Sequence, residues 1–419
     1  MKITDITHKS IEEVMSMPRF DLSSMPLKPK WYLQVLAWIL AIPETFIVHS
    51  KIRKHNMKGL KGPYILLCSH NSFLDFKVAT RAIFPKKSTY IVAVDGFIGR
   101  EGLMRKVGCF MKRKFVSDNA LVRQIKHSLV ELKTICQIYP EARYSLVGTT
   151  SILPDSLSKL VKMIDYPVVT LISHGHHLRQ PVWNLKTRKL KTSSDMTQII
   201  TKEEMKNLSL DEIQKRINDA FIYDEYRYQL DQKISIKESF RAEGLHKPLY
   251  KCPHCNTEHK MSSKGHTLTC NACGESYEMN EYGQLNNIKG TTIFSHIPDW
   301  FEWQRKEVNK EIINDEYNVE IEVDIDMLPN SAGYYRIGKG TLTHNINGFK
   351  LTGENLLIEK PVKANFGVHI EYDYFGRGDG ISLSTKTDTF YLYPVDQNYS
   401  VTKFHLATEE LYKIKTLKK

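Results

Sequence analysis

The sequence predicts a chain in three parts: an α/β unit, then a small four-cysteine module, then an antiparallel β-rich unit. Three observations predict this order. Apolar runs alternate with helical patterns over residues 60–190, four cysteines cluster near residue 260, and residues beyond 280 alternate with a period near two. A length of 419 residues leaves room for two or three domains.

The composition is that of a globular protein with an excess of positive charge. Lys and Arg number 59 against 47 Asp and Glu, which gives a formal charge of +12. Such an excess suits anionic partners such as phospholipid surfaces, acyl-carrier proteins, phosphorylated substrates or nucleic acid, although it also serves solubility alone. Seven cysteines, of which four are clustered, fit a reducing cytosol better than a disulfide scaffold, and the N-terminus lacks the pattern of a signal peptide.

Residues 1–60 are predicted to form an N-terminal helical segment at a membrane interface. WYLQVLAWILAIPETFIV (31–48) is largely apolar, but Gln34, Pro43 and Glu44 interrupt it, so it is not predicted to span a bilayer. The basic residues Lys51, Arg53, Lys54, Lys58 and Lys61 follow, with no acidic residue among them. This order is typical of a monotopic helix on anionic lipid, and the alternative is an amphipathic helix packed on the domain's own core.

Residues 61–225 are predicted to form an α/β domain, a mixed sheet flanked by helices. The runs that predict strands are YILLC (64–68), TYIVAV (89–94), ICQIYP (135–140) and YPVVTLIS (166–173). Helical spacing of apolar residues lies between them, and this alternation predicts a partly parallel sheet. Residues 226–249 are predicted to be a helical connector.

SHNSFLD (69–75) follows the first of these strands and contains a histidine, His70, and an aspartate, Asp75. Open α/β sheets build their sites at the carboxyl ends of strands, so His70 is expected at that edge. If the chain turns, Asp75 can hydrogen-bond the imidazole and leave its other nitrogen as a general base. The alternative is a helix cap or an ordinary surface pair. With no convincing seryl or cysteinyl nucleophile nearby, direct attack by a substrate hydroxyl is the economical mechanism.

Four ordered blocks within residues 30–220 resemble the glycerolipid acyltransferases, the 1-acylglycerol-3-phosphate acyltransferase family. SHNSFLD resembles the H-x4-D block of that family, and GCFMKRKF (108–115) is similar to the second block, a glycine leading to Phe-Ile-x-Arg. YPEARYS (139–145) resembles the third block, Phe-Pro-Glu-Gly-Thr-Arg-Ser, and YPVVTL (166–171) resembles the fourth. Each block is short, and their order and separations carry the resemblance.

The resemblance implies an O-acyltransferase of glycerophospholipid synthesis or remodelling. It would move a fatty acyl group from acyl-CoA or acyl-carrier protein to a hydroxyl of a lysophospholipid such as 1-acylglycerol-3-phosphate. His70 would deprotonate the hydroxyl, and Asp75 would orient His70. Arg113 and Glu141 are expected to help bind the acceptor's phosphate, Glu141 by positioning an arginine or a hydroxyl, because a carboxylate does not bind phosphate directly.

The third block departs from the family in three adjacent residues. Ala142 and Tyr144 stand where the family has Gly and Arg, and an arginine comes one position early, as Arg143. On an extended segment Arg143 would face the opposite side, and it is the further candidate for binding the phosphate. Downstream, SHGHHLRQPVWN (173–184) is predicted to contain surface or core histidines, with an acceptor or metal site as the alternative.

CPHC (252–255) and CNAC (270–273) are two C-x2-C pairs separated by 14 residues. Two such thiolate knuckles close a tetrahedral site, so residues 250–280 are predicted to be a zinc ribbon with one structural zinc and no open coordination position. The predicted ligands are Cys252, Cys255, Cys270 and Cys273. A rubredoxin-like iron site and a redox pair are the alternatives, and no organic cofactor is predicted. Without a dense basic and aromatic face, a structural joint is favoured over a nucleic-acid reader.

Residues 281–419 are predicted to form a β-rich accessory domain that ends in a helix. Seven short runs between residues 319 and 394 alternate with a period near two, and turn sequences separate them. SVTKFHLATEELYKIK (400–415) has the pattern of an amphipathic helix. Strands followed by one helix resemble a pleckstrin-homology or GRAM domain, which would dock on lipid head groups or on a protein.

The favoured function is therefore an acyltransferase at the cytoplasmic face of the cell membrane, peripheral or monotopic, on anionic lipid. One alternative is a non-catalytic lipid- or protein-binding scaffold, which the intact His70–Asp75 pair disfavours. The other is a regulator that binds nucleic acid through the ribbon. Nucleic acid is not an expected partner, because the positive charge is spread along the chain rather than concentrated around residues 250–275.

Overall fold

In the computed structural model, which describes residues 6–116 and 118–417, the chain forms β-sheets of seven, four and eight strands. The first elements are β1 (Thr7–His8) and α1 (Ile11–Met15). A capping box of Ser10 and Glu13 begins α1, because each side chain accepts from the other residue's main-chain N–H. Although β1 stands at the start of the chain, it pairs in parallel with a strand of the last sheet.

The seven-stranded sheet confirms the predicted mixed α/β sheet. Its strands are β2 (Lys51–His55), β3 (Ile65–Cys68), β4 (Ser88–Ala93), β5 (Cys109–Lys112), β6 (Ile135–Ile138), β7 (Val168–His174) and β8 (Ser193–Ile200). They lie in the order β2-β8-β7-β3-β6-β4-β5. The five strands from β7 to β5 are parallel, and β8 and β2 run against them. The sheet thus takes in residues 51–55, which the sequence pattern had placed in the membrane-interface segment.

Helices surround this sheet and connect its strands. They are α2 (Trp31–Ile47), α3 (Leu74–Ile83), α4 (Glu101–Lys106), α5 (Asn119–Val130), α6 (Ser156–Ile164), α7 (His176–Arg179), α8 (Lys202–Asn207), α9 (Leu210–Ala220) and α10 (Glu225–Asp231). The predicted helical connector is helical only to Asp231, and turns follow up to residue 249. The carboxyl ends of the five parallel strands meet at one side of the sheet, which we call the carboxyl edge.

The four cysteines lie beside a small antiparallel sheet of four strands in the order β12-β11-β10-β9, and of the four only Cys270 belongs to a strand. These strands are β9 (Met261–Lys264), β10 (Thr267–Cys270), β11 (Ser276–Met279) and β12 (Leu285–Asn287). The next helix, α11 (Ile297–Ile313), packs against this sheet. Its fully buried Trp300 donates from Nε1 to the carbonyl of Lys251 at 2.9 Å, and its ring lies 5.0 Å from that of Tyr277. The ribbon is thus packed into the core rather than free.

The last sheet confirms the period-two pattern of the C-terminal half. Its strands are β13 (Asn318–Met327), β14 (Tyr335–Asn345), β15 (Gly348–Gly353), β16 (Leu356–Pro361), β17 (His369–Glu371), β18 (Gly380–Ser384) and β19 (Thr389–Pro394). Their order is β16-β15-β14-β13-β19-β18-β17, with every neighbouring pair antiparallel and β1 added alongside β14. The predicted final helix is α12 (Thr402–Leu417). The predicted similarity of this unit to pleckstrin-homology or GRAM domains stays a prediction.

Candidate active site and metal centre

His70 lies at the carboxyl edge, two residues after β3 ends and four before α3 begins. Its side chain is 23% exposed. The imidazole packs against two phenol rings, with centroid distances of 4.5 Å to Tyr139 and 4.1 Å to Tyr144. Its main-chain carbonyl accepts from the N–H of Ser145 at 2.8 Å. The segment after β6 therefore holds both the ring and the backbone of His70 at the edge of the sheet.

Asp75 is buried directly behind His70. Its Oδ2 accepts from the main-chain N–H groups of Asn71, at 2.5 Å, and Ser72, at 2.9 Å. The Nδ1 of His70 lies 3.6 Å from the same oxygen, an ion-pair distance slightly longer than a hydrogen bond. Burial alone would raise the pKa of Asp75, but the imidazoles of His176 and His70 outweigh burial and lower it to about 2. The carboxyl group is therefore ionised at neutral pH.

The two nitrogens of His70 have different surroundings. Nδ1 is fully buried and faces Asp75, whereas Nε2 is not among the fully buried atoms and has no hydrogen-bond partner in the described residues. An ionised carboxylate beside Nδ1 favours the tautomer that carries its proton there. Nε2 is then the free lone pair, which is the geometry that a general base needs. Asp75 and His70 are thus brought together as the sequence predicted, and their catalytic roles stay predictions.

A third residue, His176, belongs to this cluster and was not predicted to be part of the site. It is the first residue of α7, just beyond β7, and its side chain is fully buried. Its Nδ1 lies 2.5 Å from Oδ1 of Asp75. Since β7 and β3 are neighbouring parallel strands, polar residues soon after each of them meet at the carboxyl edge. The pairing of β7 with β3 was therefore the signal that could have identified His176, among the histidines of residues 173–184, as part of the site.

Glu141 holds the backbone of the site. Its carboxylate is buried and accepts from the main-chain N–H groups of His70, at 3.1 Å, and Ser151, at 2.9 Å, and from the hydroxyl of Tyr223 at 3.2 Å. Burial raises the pKa of Glu141 to about 7, against these hydrogen bonds, which lower it. Glu141 therefore positions a hydroxyl and two loops, and its predicted part in substrate binding is untested.

The turn after Glu141 differs from the extended segment that was expected. Ala142 has a φ of +57° and donates its N–H to the carbonyl of Tyr139 at 3.1 Å. This left-handed conformation is the one that glycine adopts most easily, and glycine is the residue that the resembled family has here. The direction of Arg143 is therefore set by a turn rather than by strand alternation.

Arg113 and Arg143 are both buried against the C-terminal half of the chain. Arg113 donates from one Nη to the carbonyl of Lys386 at 3.2 Å and from the other to the carbonyl of Thr387. Arg143 forms a buried ion pair with Glu409 of α12. Each guanidinium group is thus partly engaged, and among the described residues neither forms a hydrogen bond or an ion pair with His70. Their predicted role in phosphate binding stays a prediction.

The four cysteines of the ribbon form a cluster that could bind a metal ion such as zinc. Their Sγ atoms all lie within 4.8 Å of one another, with 3.8 Å from Cys252 to Cys273 and 3.7 Å from Cys255 to Cys270. Tetrahedral zinc with Zn–S bonds of about 2.3 Å needs S···S distances of about 3.8 Å. The spacing therefore fits a four-thiolate centre, and the four cysteines are free of disulfide bonds in this structure.

No protein-family model matches the chain, and no curated protein sequence is significantly similar to it. Among solved structures, the chain is similar to the 1-acyl-sn-glycerophosphate (LPA) acyltransferase PlsC from Thermotoga maritima, with 13% sequence identity and a TM-score of 0.38. The similarity covers 45% of this chain and 77% of that chain. Similarity at this level carries nothing about activity, so the function has to come from the residues of the site.

Proposed function

We propose that the chain is a membrane-associated O-acyltransferase. It transfers a fatty acyl group from acyl-CoA or acyl-carrier protein to a hydroxyl of a lysophospholipid such as 1-acylglycerol-3-phosphate. The observation that carries this proposal is the His70–Asp75 pair, with Nδ1 turned toward an ionised carboxylate and Nε2 free at the carboxyl edge.

Purified protein should release free thiol from acyl-CoA only when a lysophospholipid is present, which a thiol-reactive dye measures against a blank of protein alone.

The proposed reaction is a direct displacement at the thioester carbonyl. The acceptor hydroxyl gives its proton to Nε2 of His70 while its oxygen attacks the carbonyl carbon. The tetrahedral intermediate then collapses, the C–S bond breaks, and the departing thiolate takes the proton from the imidazolium. Asp75 offsets the positive charge on His70 while it holds that proton. The products are an ester and a free thiol.

An acyl-enzyme intermediate on cysteine is not part of this mechanism. Cys68 is the cysteine closest to His70 in the chain, and it is fully buried at the end of β3. Burial, with the negative charge of Asp75, raises the pKa of its thiol well above the ordinary range. Because the thiolate is the nucleophilic form of cysteine, a thiol in this environment is inert.

The outer face of α2 supports the membrane association. Gln34, Ala41 and Thr45 are the buried residues of α2, whereas Leu40 is 68% exposed and Ile47 is 73% exposed. The other large exposed apolar residues of α2 are Trp31, Tyr32, Val35, Leu36, Ile39 and Phe46. An apolar helical face of this kind, followed by basic residues, is what an anionic leaflet binds. No helix in the described ranges is long and apolar enough to cross a bilayer.

An exposed apolar residue, Phe73, also stands close to His70 in the chain. It precedes α3, three residues after His70, and its side chain is 62% exposed. Near the C-terminal end of α2, Lys77 of α3 pairs with Glu44 and lies 5.3 Å from the ring centroid of Phe73, so α2 and α3 are held side by side. A bilayer against α2 would lie close to His70, where a lysophospholipid could reach the base without leaving the lipid surface. This arrangement favours a lipid acceptor over a soluble one.

The membrane proposal makes a prediction for a double charge substitution on α2. Leu40→Glu with Ile47→Glu should weaken binding to vesicles that contain anionic lipid on the order of 100-fold, because two apolar side chains no longer enter the interface. Vesicle co-sedimentation measures this binding. Ile313→Glu is the matched control, since Ile313 is 68% exposed on α11 and should leave binding unchanged. Wild-type binding by the α2 double variant would contradict the assignment of this face.

The cysteine cluster is proposed to hold one structural zinc. All four thiolates would be used as ligands, so the metal would have no open position for catalysis. Its effect would be to close the two knuckles, which lie beside the sheet on which α11 packs. A rubredoxin-like iron site has the same ligands, and elemental analysis of the purified protein distinguishes the two metals.

A further inference from the structure

Two imidazoles share one carboxylate at the carboxyl edge. His176 lies with Nδ1 at 2.5 Å from Oδ1 of Asp75, and His70 lies with Nδ1 at 3.6 Å from Oδ2. The two histidines differ in their access to solvent, because the side chain of His70 is 23% exposed and that of His176 is fully buried. A substrate can therefore meet His70 but not His176, and any effect of His176 on catalysis has to pass through Asp75.

We propose that His176 is a positioning residue that fixes Asp75 and tunes His70 as a base, an inference that rests on the proposed acyl transfer. Since Oδ1 is an ionised acceptor, Nδ1 of His176 carries the proton and donates it to the hydrogen bond. That bond prevents the carboxylate from rotating, which keeps Oδ2 directed at His70. It also draws negative charge away from Oδ2, which weakens the pull of the carboxylate on the proton that His70 accepts during the reaction.

The surroundings of His176 indicate that its hydrogen bond, rather than its volume, is what this position requires. Its Nε2 is buried and has no partner in the described part of the chain. A buried polar atom without a partner costs free energy, and an apolar ring of similar size would avoid that cost. The presence of a histidine at position 176 is therefore explained by the one side-chain hydrogen bond that it makes, to Asp75.

The neighbouring residue provides the contrast. His177 is also fully buried, but neither of its ring nitrogens forms a hydrogen bond with a side chain in the described residues. Its ring packs against Trp183, at 6.3 Å, and Tyr226, at 5.7 Å. Burial lowers the pKa of His177 to about 3, so it stays neutral. His177 is a core histidine, as predicted for this segment, and it serves as an internal control.

Other titratable groups also face the cluster. They are Cys68, Tyr139, Tyr144 and Tyr223 around Asp75, Glu141 at the main chain of His70, and Glu225 beside His176. Burial raises the pKa of the thiol and of the three phenols, which keeps them neutral. Glu225 accepts from Nδ1 of His174 at 3.2 Å and from the N–H of Gly175. Asp75 itself accepts hydrogen bonds from His176 and from two main-chain amides, and Nδ1 of His70 lies 3.6 Å from its Oδ2.

The test compares His176→Phe, His176→Asn and His177→Phe. Phenylalanine keeps the ring and removes the donor, whereas the asparagine amide can reach the place of Nδ1. His176→Phe should lower kcat by about tenfold or more with little change in either KM, because the substrates do not touch His176. His176→Asn should restore most of the rate, and His177→Phe should stay near wild type. If His176→Phe does not fold, His176→Met is the second apolar replacement, since its flexible side chain adapts to the space.

A second readout does not depend on activity. Diethyl pyrocarbonate modifies neutral imidazole, so its rate at His70 as a function of pH, followed by peptide mass spectrometry, gives the pKa of that residue. The pH dependence of the modification should move to higher pH in His176→Phe, because Asp75 then concentrates its negative charge on Oδ2 beside His70, and it should return to the wild-type profile in His176→Asn. A wild-type titration of His70 in folded His176→Phe or His176→Met overturns the proposal, as does an equal shift in His177→Phe. A shift in the absence of any acyl transfer by the wild type supports the coupling and overturns the proposed function instead.

Discussion

Replacing His70 with alanine is expected to abolish measurable acyl transfer while the protein stays folded and bound to vesicles. The acceptor hydroxyl must lose its proton as it attacks the thioester, and Nε2 of His70 is the base that we propose takes it. A positioned base contributes roughly 10²- to 10⁴-fold to the rate. Initial rates with purified protein measure the loss, and thermal melting verifies the fold. His55→Ala is the matched control, because His55 is an exposed histidine that pairs with Asp195.

The partner of His70 should behave as part of the same unit. Asp75→Asn is nearly isosteric but should lose most of the rate, since a neutral amide does not balance the imidazolium. The double variant should be little worse than His70→Ala alone, because Asp75 acts only through His70. Additive losses would contradict this coupling. Near-normal transfer by folded His70→Ala would return both residues to the status of polar residues at the end of a strand.

Asp75 also makes a pH-dependent contribution to stability. Its folded-state pKa of about 2 lies below the ordinary value of 3.8. Such a carboxylate stabilises the folded state fully above pH 3.8, and this contribution is lost as the pH falls toward 2. The destabilisation caused by Asp75→Asn should therefore be larger at pH 7 than at pH 3, which denaturant unfolding at the two pH values measures. An equal effect at both would contradict the lowered pKa.

Replacing Cys252 or Cys270 with serine is expected to release the metal and to lower the thermal stability of the ribbon strongly. Binding of structural zinc supplies on the order of 10 kcal/mol of folding free energy in small zinc modules. Both sulfurs are buried, and the ribbon shares its core with α11 through Trp300 and Tyr277. The middle of the chain should thus unfold at a lower temperature than in the wild type, and calorimetry measures the shift.

The control for the ribbon is Cys136→Ala, which changes a single buried cysteine of β6 outside the cluster. It should cost only the packing of one sulfur atom and leave the metal content unchanged. Elemental analysis of the wild type should give one zinc per chain. A protein without zinc, or with mainly iron, contradicts the zinc assignment, and an unchanged melting curve for Cys252→Ser contradicts the structural role.

The features that were predictable from sequence have local signals. The C-x2-C pairs place two sulfurs in one turn, the period-two runs from residue 319 to residue 394 form the antiparallel sheet, and the apolar runs of β3, β6 and β7 are the buried parallel strands. SHNSFLD was predicted to be a loop because an apolar strand ends just before it and a helical pattern begins at its end. In each case the signal is carried by residues that are close together in the chain.

Strand β2 was not predicted, because its sequence lacks such a local signal. Its sequence, KIRKH, has one apolar residue, because it is the edge strand of the sheet and most of its side chains reach solvent. The same basic residues were therefore assigned to the lipid surface alone. Arg53 pairs with Asp195 of β8 at 2.6 Å, so at least one of these charges is used within the sheet.

The environments of Arg113 and Arg143 depend on residues that are distant in the chain. Their partners, the carbonyls of Lys386 and Thr387 and the carboxylate of Glu409, lie more than 250 residues away. No local pattern carries such information, so the resemblance to a phosphate-binding block could not predict that these side chains would be buried by the C-terminal half. His176 was missed because its role depends on the adjacency of β7 and β3, which only the sheet order reveals.

The most direct measurement is mass spectrometry of the lipid product formed by the purified chain on vesicles. The donor is acyl-CoA with an isotopically labelled acyl group, and the acceptor is 1-acylglycerol-3-phosphate or another lysophospholipid. The account predicts a labelled diacyl ester that forms in step with free CoA in the wild type and is absent in folded His70→Ala. Equal product in both proteins, or no product in the wild type with either acyl-CoA or acyl-carrier protein as donor, would contradict it.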